Sequence, residues 1–156
     1  MSVLLRAYAP EDIEALYQLD QQCYPPGIAY SRREMKWYLR LPGADCLVAE
    51  QDGALAGFIV TERENDLGHI ITLDVAESQR RRGIGTALLA AAEARMLEAG
   101  VRRVSLETAT DNAPAVAFWK KHGYRTVAVL KNYYMEKLDA YEMHKILTAK
   151  SEARNP

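Results

Sequence analysis

The stretch QRRRGIGT, residues 79–86, decides the fold, because it joins a strand pattern to a helix pattern through a turn with two glycines. Residues 69–75 before it have the composition of a β-strand. Beyond it, apolar and alanine residues recur at helical spacing as far as Gly100. The first amides of a helix lack partners within the helix, and the helix dipole is positive at that end. The order strand, glycine turn, helix therefore predicts an anion site.

The composition of this turn favours a phosphate as the anion. Gly83 and Gly85 lack the Cβ atoms that would keep a phosphate away from the backbone, and Arg80–Arg82 add charge-assisted donors. The alternative is a solvated basic loop ahead of a helix. The turn by itself leaves both interpretations open.

Two other glycine-rich phosphate motifs do not fit the turn. A dinucleotide-binding fingerprint needs a third small residue at position 88, where the chain has Leu88. A Walker loop needs a Gly-Lys-Ser/Thr ending, whereas Gly85 is followed directly by Thr86. Neither class of nucleotide site is therefore expected.

Outside the turn, local signals predict strands and helices in mixed order. Helices are expected from Pro10 to Cys23, from a capping box at Ser31 to about Arg40, from Ile84 to Gly100, and from an Asn112 cap to His122. Strands are expected at residues 3–8, 46–50, 55–62, 69–75, around 104–106, at 124–130 and at 140–145. The order β-α-α-β-β-β-α-β-α-β-β indicates an α/β (α+β) fold, a central sheet with helices on its faces.

Length and charge bound the class of protein. The 156 residues predict one domain, residues 1–149, with a frayed tail at 150–156. A formal net charge of −1 provides no global attraction for nucleic acid or an anionic membrane. The start of the chain lacks the apolar core of a signal peptide, and no apolar run approaches the ~20 residues of a membrane span. A cytoplasmic protein with no nucleic-acid or membrane partner is expected.

Cysteine and histidine usage indicates neither disulfides nor a metal. Cys23 and Cys46 are too few for a disulfide framework and do not form a C-x-x-C pair. His69, His122 and His144 lie far apart and have no ligand spacing with acidic neighbours. Buried thiols and no metal are the expectation.

With the turn and its flanking elements in view, the sequence resembles the GNAT superfamily of N-acetyltransferases. The cofactor motif of that family, (Gln/Arg)-x-x-Gly-x-(Gly/Ala), is met by Arg80, Gly83 and Gly85. The resemblance implies a mixed, mostly antiparallel sheet of about seven strands with helices on both faces, and acetyl-CoA as co-substrate. It implies that the strand before the turn splays open to admit the pantetheine. The cofactor-binding residues it implies are Leu73, Val75, Arg80, Arg81, Arg82, Gly83, Ile84, Gly85, Thr86, Asn112 and Trp119.

Within the superfamily, the chain is similar to the N-terminal protein acetyltransferases. The pair Tyr133-Tyr134 resembles their tyrosine hairpin, and the loop from Tyr24 to Tyr30 resembles the loop that links their first two helices. In those relatives the two segments form the walls that hold the first residues of a peptide. The substrate residues implied are Tyr24, Pro26, Ile28, Tyr30, Tyr133 and Tyr134. Ordinary aromatic packing is the alternative, and the apolar loop favours a small or unbranched first residue.

Two residues are candidates for the base. The α-amine has a reference pKa of about 7.7 to 8.0, against about 10.4 for lysine, so a modest proton relay suffices near neutrality. Glu107, at the end of the fifth strand, matches the position of a general base in the bacterial alanine acetylases. His69, on the fourth strand, is the second candidate because its unperturbed pKa of about 6.5 suits proton transfer. The alternatives are a surface carboxylate and a satisfied histidine within the sheet.

The general acid remains open. The family usually has a tyrosine in the helix after Asn112, and this chain has Trp119, whose indole N–H donates but cannot deliver a proton. Either solvent assists the departing thiolate, or Tyr124, Tyr133 or Tyr134 substitutes.

The function expected is therefore acetyl-CoA-dependent acetylation of a primary amine. The acceptor expected first is the N-terminal α-amine of a protein or peptide. The alternatives are a small-molecule amine as acceptor and a non-catalytic acyl-CoA sensor, for which Trp119 is the best support. A monomer or weak homodimer is expected.

Overall fold

A computed structural model of the protein describes residues 3–148. Within this range the predicted order of strands and helices is confirmed. The strands are β1 (Leu4–Ala7), β2 (Ala44–Gln51), β3 (Ala54–Glu64), β4 (Leu67–Val75), β5 (Arg103–Ala109), β6 (Arg125–Tyr134) and β7 (Leu138–Ile146). The helices are α1 (Ile13–Cys23), α2 (Arg32–Leu39), α3 (Ile84–Glu98) and α4 (Ala113–Lys121), with 3-10 turns at Pro10–Asp12 and Glu77–Gln79. The predicted tail, 150–156, lies outside the described residues.

One seven-stranded sheet runs in the order β1-β2-β3-β4-β5-β7-β6. The β4–β5 pair is parallel and the other neighbours are antiparallel. On one face, α1 and α2 bury Leu16, Leu19 and Met35 against the sheet. On the other face, α3 and α4 bury a second core that includes Leu88 and Trp119. The mixed, mostly antiparallel sheet with helices on both faces is thus confirmed.

The parallel pair β4–β5 is the feature that creates space for a ligand. Its ladder consists of Leu67↔Arg103, Gly68↔Val104 and His69↔Ser105, although both strands continue for several residues. Against β3, Thr61 pairs with Ile70 and Val60 with Thr72, so Ile71 is an extra residue on β4. Such a bulge bends a strand and increases its twist. The two strands therefore diverge and leave a wedge-shaped opening in the middle of the sheet.

Side-chain caps begin α2 and α4 where the sequence predicts them. The hydroxyl of Ser31 accepts from the Glu34 amide at 3.1 Å, and the Glu34 carboxylate accepts from the Ser31 amide at 2.9 Å, so the capping box is confirmed. Asn112 Oδ1 accepts from the Ala115 amide at 3.2 Å and caps α4. The predicted start of the first helix is wrong by one turn, because Pro10 opens a 3-10 turn and α1 begins at Ile13.

The closing hairpin is longer than predicted. β6 continues to Tyr134 rather than ending at residue 130, and Met135 and Glu136 form the turn with φ of 54° and 56°. The Lys137 amide donates to the Tyr134 carbonyl at 3.1 Å and closes it. Two successive residues with positive φ are normally Asn-Gly or Asp-Gly in such turns. The sequence lacks that signal, and the hairpin tip was not predictable from it.

Residues 3–148 lack two features that would point to other functions. No helix there is both long and apolar enough to cross a membrane. Nor does this range contain three or more His, Cys, Asp or Glu side chains grouped to hold a metal ion.

Candidate active site

The opening between β4 and β5 is a cleft of about 310 Å³. That volume lies at the lower end of the range for ligand sites. Its walls come from the end of α1 and the following loop, from β4 and β5, and from the start of α4 and β7. The predicted site residues that line it are Tyr24, Ile28, Tyr30, Leu73, Glu107, Asn112, Trp119 and Tyr134.

The open edge of β4 is satisfied by side chains in place of a neighbouring strand. The hydroxyl of Tyr24 donates to the Leu73 carbonyl at 3.0 Å. Arg80 Nε donates to the Val75 carbonyl at 3.1 Å. Backbone carbonyls that lose their ladder partner need another donor. Tyr24 therefore supports the splayed strand as well as lining the cleft, and Arg80 is turned back towards β4.

Glu107 and His69 form one unit. His69 occupies the last position of β4 that is paired with β5. Its Nε2 lies 2.8 Å from Glu107 Oε1. Glu107 lines the cleft, and His69 lies behind it. Burial disfavours the charged imidazole, but the hydrogen bond and charge of Glu107 outweigh this, so the pKa of His69 is raised. The two candidate bases are thus a carboxylate facing the cleft and a histidine that orients it.

The tyrosine pair lies beside this unit. Burial raises the pKa of Tyr133, and the negative charge of Glu107 raises it further. Burial also raises the pKa of Tyr134, whose ring stands nearly perpendicular to that of Tyr133 at 4.9 Å. Both hydroxyls are therefore neutral donors at physiological pH. Tyr134 lines the cleft, whereas Tyr133 is 48% exposed at its margin.

Trp119 both lines the cleft and belongs to the hydrophobic core. It is 8% exposed and packs edge-on against Tyr124 with ring centres 5.4 Å apart. Its neighbour Phe118 is partly buried and packs against the same core. Tyr124 is 1% exposed and donates to Glu93 Oε2 at 2.7 Å. Tyr124 is thus committed elsewhere and does not line the cleft.

The turn before α3 leaves backbone amides without partners inside the helix, although none of residues 79–86 lines the cleft. The first α3 backbone hydrogen bond runs from the Ala87 amide to the Gly83 carbonyl at 2.9 Å, so the amides of residues 84–86 precede it. Gly83 has φ +82°, and a Cβ there would have no described heavy atom within 4 Å. Arg81 and Arg82 are exposed beside it, whereas Ile84 is buried in the core. The open space at Gly83 fits an anion that approaches the backbone.

Gly85 has a different environment from the one the sequence suggests. A Cβ at this position would lie 3.4 Å from Phe118 and 3.6 Å from Val75. These are ordinary van der Waals distances, so Gly85 lies where α3 meets α4 and β4, whereas Gly83 faces open space. The hydroxyl of Thr86 lies 3.1 Å from His122 Nε2, which brings a histidine to the turn that sequence reasoning did not select.

The two predicted peptide walls touch each other. Gly27, in the loop after α1, has φ +92°, and a Cβ there would overlap the side chain of Met135. Met135 is at the tip of the β6–β7 hairpin. Pro26 is exposed and lies outside the cleft lining, which Pro25 joins instead. The loop and the hairpin therefore close one side of the cleft through a contact that no sequence signal indicated.

Known proteins share this architecture. The Acetyltransferase (GNAT) family model matches residues 13–124. The N-alpha-acetyltransferase of Sulfurisphaera tokodaii is 33% identical over 145 residues, which cover 85% of this chain and 86% of that protein. The crystal structure of Ard1 from Thermoplasma volcanium has a TM-score of 0.88 and 30% identity over 96% of this chain and 100% of that chain.

A more distant structure shows the same fold. Arabidopsis thaliana NAA60 in complex with acetyl-CoA has a TM-score of 0.80 and 23% identity, over 95% of this chain and 100% of that chain. The family match spans most of the chain, and the archaeal N-alpha-acetyltransferase covers nearly all of it. The resemblance stated from the motifs is therefore confirmed: the chain belongs to the acetyltransferase (GNAT) family and is an N-acetyltransferase.

Proposed function

We propose that this protein transfers the acetyl group of acetyl-CoA to the N-terminal α-amine of a protein or peptide. The observation that carries the proposal is the Glu107–His69 pair, joined at 2.8 Å, at a cleft that the tyrosine walls border. Relatives named N-alpha-acetyltransferase support the choice of acceptor. The sequence-based expectations of a cytoplasmic location and of a monomer or weak homodimer belong to the same proposal.

The acetyl donor fits the residues at the turn. The amides of residues 84–86, the space at Gly83 and the cations of Arg81 and Arg82 suit a pyrophosphate. Asn112 uses Oδ1 for the helix cap, which leaves its NH₂ group for an amide of the pantetheine. When bound, the donor supplies an activated thioester. The chain holds that thioester near the amine, and such positioning supplies a large part of many rate enhancements.

Proton transfer is the chemical task of the side chains. Glu107 accepts the proton of the α-amine, directly or through a water, as the new N–C bond forms and the C–S bond breaks. His69 keeps the carboxylate oriented through its 2.8 Å contact. Among the tyrosines on the cleft, the hydroxyls of Tyr24 and Tyr30 donate to β4 carbonyls at 3.0 and 3.5 Å, so we assign Tyr134 as the donor to the departing sulfur.

The walls select the acceptor. Tyr30 and Tyr134 offer apolar area to the peptide, and Pro25 and Ile28 add apolar surface. The cleft of about 310 Å³ must hold the thioester and the first residue together. A small or unbranched first residue is therefore the expected substrate.

A peptide panel tests the proposal. CoA release is measured with peptides that begin with Ala, Ser, Met, Val or Trp, with the same peptides blocked at the N-terminus but containing lysine, and with polyamines. We expect turnover with free N-termini, led by small or unbranched first residues. Turnover with small amines alone would overturn the choice of acceptor. Acetyl-CoA binding by calorimetry without turnover on any amine would identify a sensor.

A further inference from the structure

Two buried carboxyl groups lie outside the site described above. Asp20 on α1 is 0% exposed, and Asp74 near the end of β4 is 1% exposed. Neither lines the cleft, and neither takes part in the proposed chemistry. The two side chains face each other in the layer between α1 and the sheet, close enough that each changes the pKa of the other. Buried like charges in contact are costly unless a proton neutralises one of them.

The donors around the pair leave one oxygen on each carboxyl unsatisfied. Asp20 Oδ2 accepts from the Tyr30 amide at 2.7 Å. Asp74 Oδ1 accepts from the Thr72 hydroxyl at 2.6 Å. Asp20 Oδ1 and Asp74 Oδ2 are buried and have no donor among residues 3–148. A single proton on Asp74 Oδ2 satisfies both of these oxygens.

The groups that face the pair favour retention of that proton. Burial is the main cause that raises the pKa of Asp74 well above its usual range, and the Asp20 carboxylate raises it further. Burial raises the pKa of Asp20 as well, and Glu34 on α2 adds to this. The positive charge of Arg80 acts in the opposite direction and lowers the pKa of Asp74. Cys23 and Tyr24 also face the pair, and burial raises the pKa of both groups, so neither supplies a compensating charge.

The pair joins two parts of the proposed active site. Through the Tyr30 amide, Asp20 holds the far end of the loop that lines the cleft. Asp74 lies between Leu73 and Val75, whose carbonyls accept from Tyr24 and Arg80. The Tyr30 hydroxyl also donates to the Ile71 carbonyl of β4 at 3.5 Å. If the bond between the carboxyls were lost, this long hydrogen bond would have to hold Tyr30 against β4 without them.

We propose that Asp20 and Asp74 share one proton and that this bond positions the Tyr30 wall against β4 for the peptide. The pair is a positioning element that acts through Tyr30 and does not touch the reacting atoms. This inference rests on the proposed acceptor, a peptide N-terminus. The presence of the shared proton can be tested without it.

Kinetics of Asp74 variants test the positioning role. In Asp74→Asn, the amide oxygen can accept from Thr72 and the amide N–H can donate to Asp20, which replaces the proton. We expect its peptide KM within about twofold of wild type, whereas Asp74→Ala raises it about tenfold with kcat changed less than about threefold. Acetyl-CoA affinity should be unchanged in both. Val104→Ala, in the core on the other face, is the control for general destabilisation and should leave the peptide KM unchanged.

Equal peptide KM in Asp74→Ala and wild type would overturn the positioning role, as would an equal rise in Val104→Ala. If wild type acetylates no peptide, the proposed acceptor is wrong and the positioning role fails with it. The shared proton is then still judged by the measurement that follows.

Unfolding at different pH values tests the proton itself. A carboxyl whose pKa is raised in the folded state binds its proton more tightly there than in the unfolded chain. The stability that this tighter proton binding contributes is fully present below the unfolded pKa of about 4. It declines as pH rises towards the pKa of the folded state. Asp74→Asn removes this dependence, so its urea unfolding midpoint should fall less than that of wild type between pH 5 and pH 9. Parallel curves for the two proteins would show that no proton is shared.

Discussion

The turn before α3 and the side of the cleft that contains Glu107 are built in opposite ways. The turn is one contiguous segment, residues 79–86, and it offers mainly backbone amides. This side of the cleft brings together side chains from β4, β5, the loop after α1 and the closing hairpin. Within it, His69 and Glu107 are 38 residues apart in the sequence. A backbone site depends on conformation at a few positions, whereas an assembled site depends on individual side chains. Substitutions in the two regions should therefore affect different steps of the reaction.

Glu107→Gln should produce the largest effect. We expect kcat to fall about 10²- to 10³-fold, the range for loss of a general base, with acetyl-CoA affinity within about twofold. The matched control is Glu142→Gln, because Glu142 pairs with Glu107 across β5–β7 and bonds His144 at 2.7 Å. Steady-state kinetics and calorimetry measure the two quantities. Equal losses of kcat in both variants would contradict a specific role of Glu107 as the general base.

Gly83→Val should act on the cofactor alone. We expect acetyl-CoA affinity to fall at least about tenfold, or about 1.4 kcal/mol, because the side chain fills the approach to the amides. Gly100→Val is the control at the other end of α3, since Gly100 has φ +97° and open space around its Cβ, as Gly83 does at φ +82°. Positive φ costs a branched residue about 1–2 kcal/mol of stability in both variants. Equal affinities in the two variants would contradict a phosphate site at the turn.

Gly27→Ala tests the contact between the peptide walls. The added methyl displaces Met135, so we expect the peptide KM to rise about three- to tenfold with little change in kcat. Gly53→Ala, in the β2–β3 turn with φ +79° and open space, carries the same backbone strain away from the cleft. A change in acetyl-CoA affinity rather than in peptide KM would show that the hairpin tip serves the cofactor side.

The smallest effect concerns the charge of His69. Its pKa is raised, so the stability it contributes is fully present below about pH 6.5 and is lost as pH rises through the folded value. The side chain is 35% exposed, so solvent screening limits the effect to less than about 1 kcal/mol. The difference in unfolding free energy between wild type and His69→Gln should therefore shrink from pH 6 to pH 8. A difference that grows with pH would contradict the pairing with Glu107.

Parts of the site that depend on local signals were predictable. The capping box at Ser31, the Asn112 cap and the turn at Gly83 each follow from residues within a few positions of one another. Glu107 and His69 were selected as alternatives, because the sequence does not state which strands are neighbours. The structure joins His69, at the last paired position of the β4–β5 ladder, to Glu107, which lies two residues beyond Ser105 on β5.

Other parts had no local signal. The contacts Thr86–His122, Gly27–Met135 and Asp20–Asp74 each connect residues from different elements, and none belongs to a spacing pattern. The hairpin tip was missed because Met135 and Glu136 adopt positive φ without the residues that usually mark such a turn.

The amino-acid sequence by itself determined the order of the elements, the glycine turn before α3 and the family, because these depend on side-chain periodicity and on glycine and cap residues close together in the chain. Only the tertiary structure decided where β4 and β5 part, that Glu107 and His69 form one unit, and that two aspartates meet in the interior. Such contacts are set by the packing of helices on both faces of the sheet. Packing brings together residues whose separation along the chain carries no information about their distance in space.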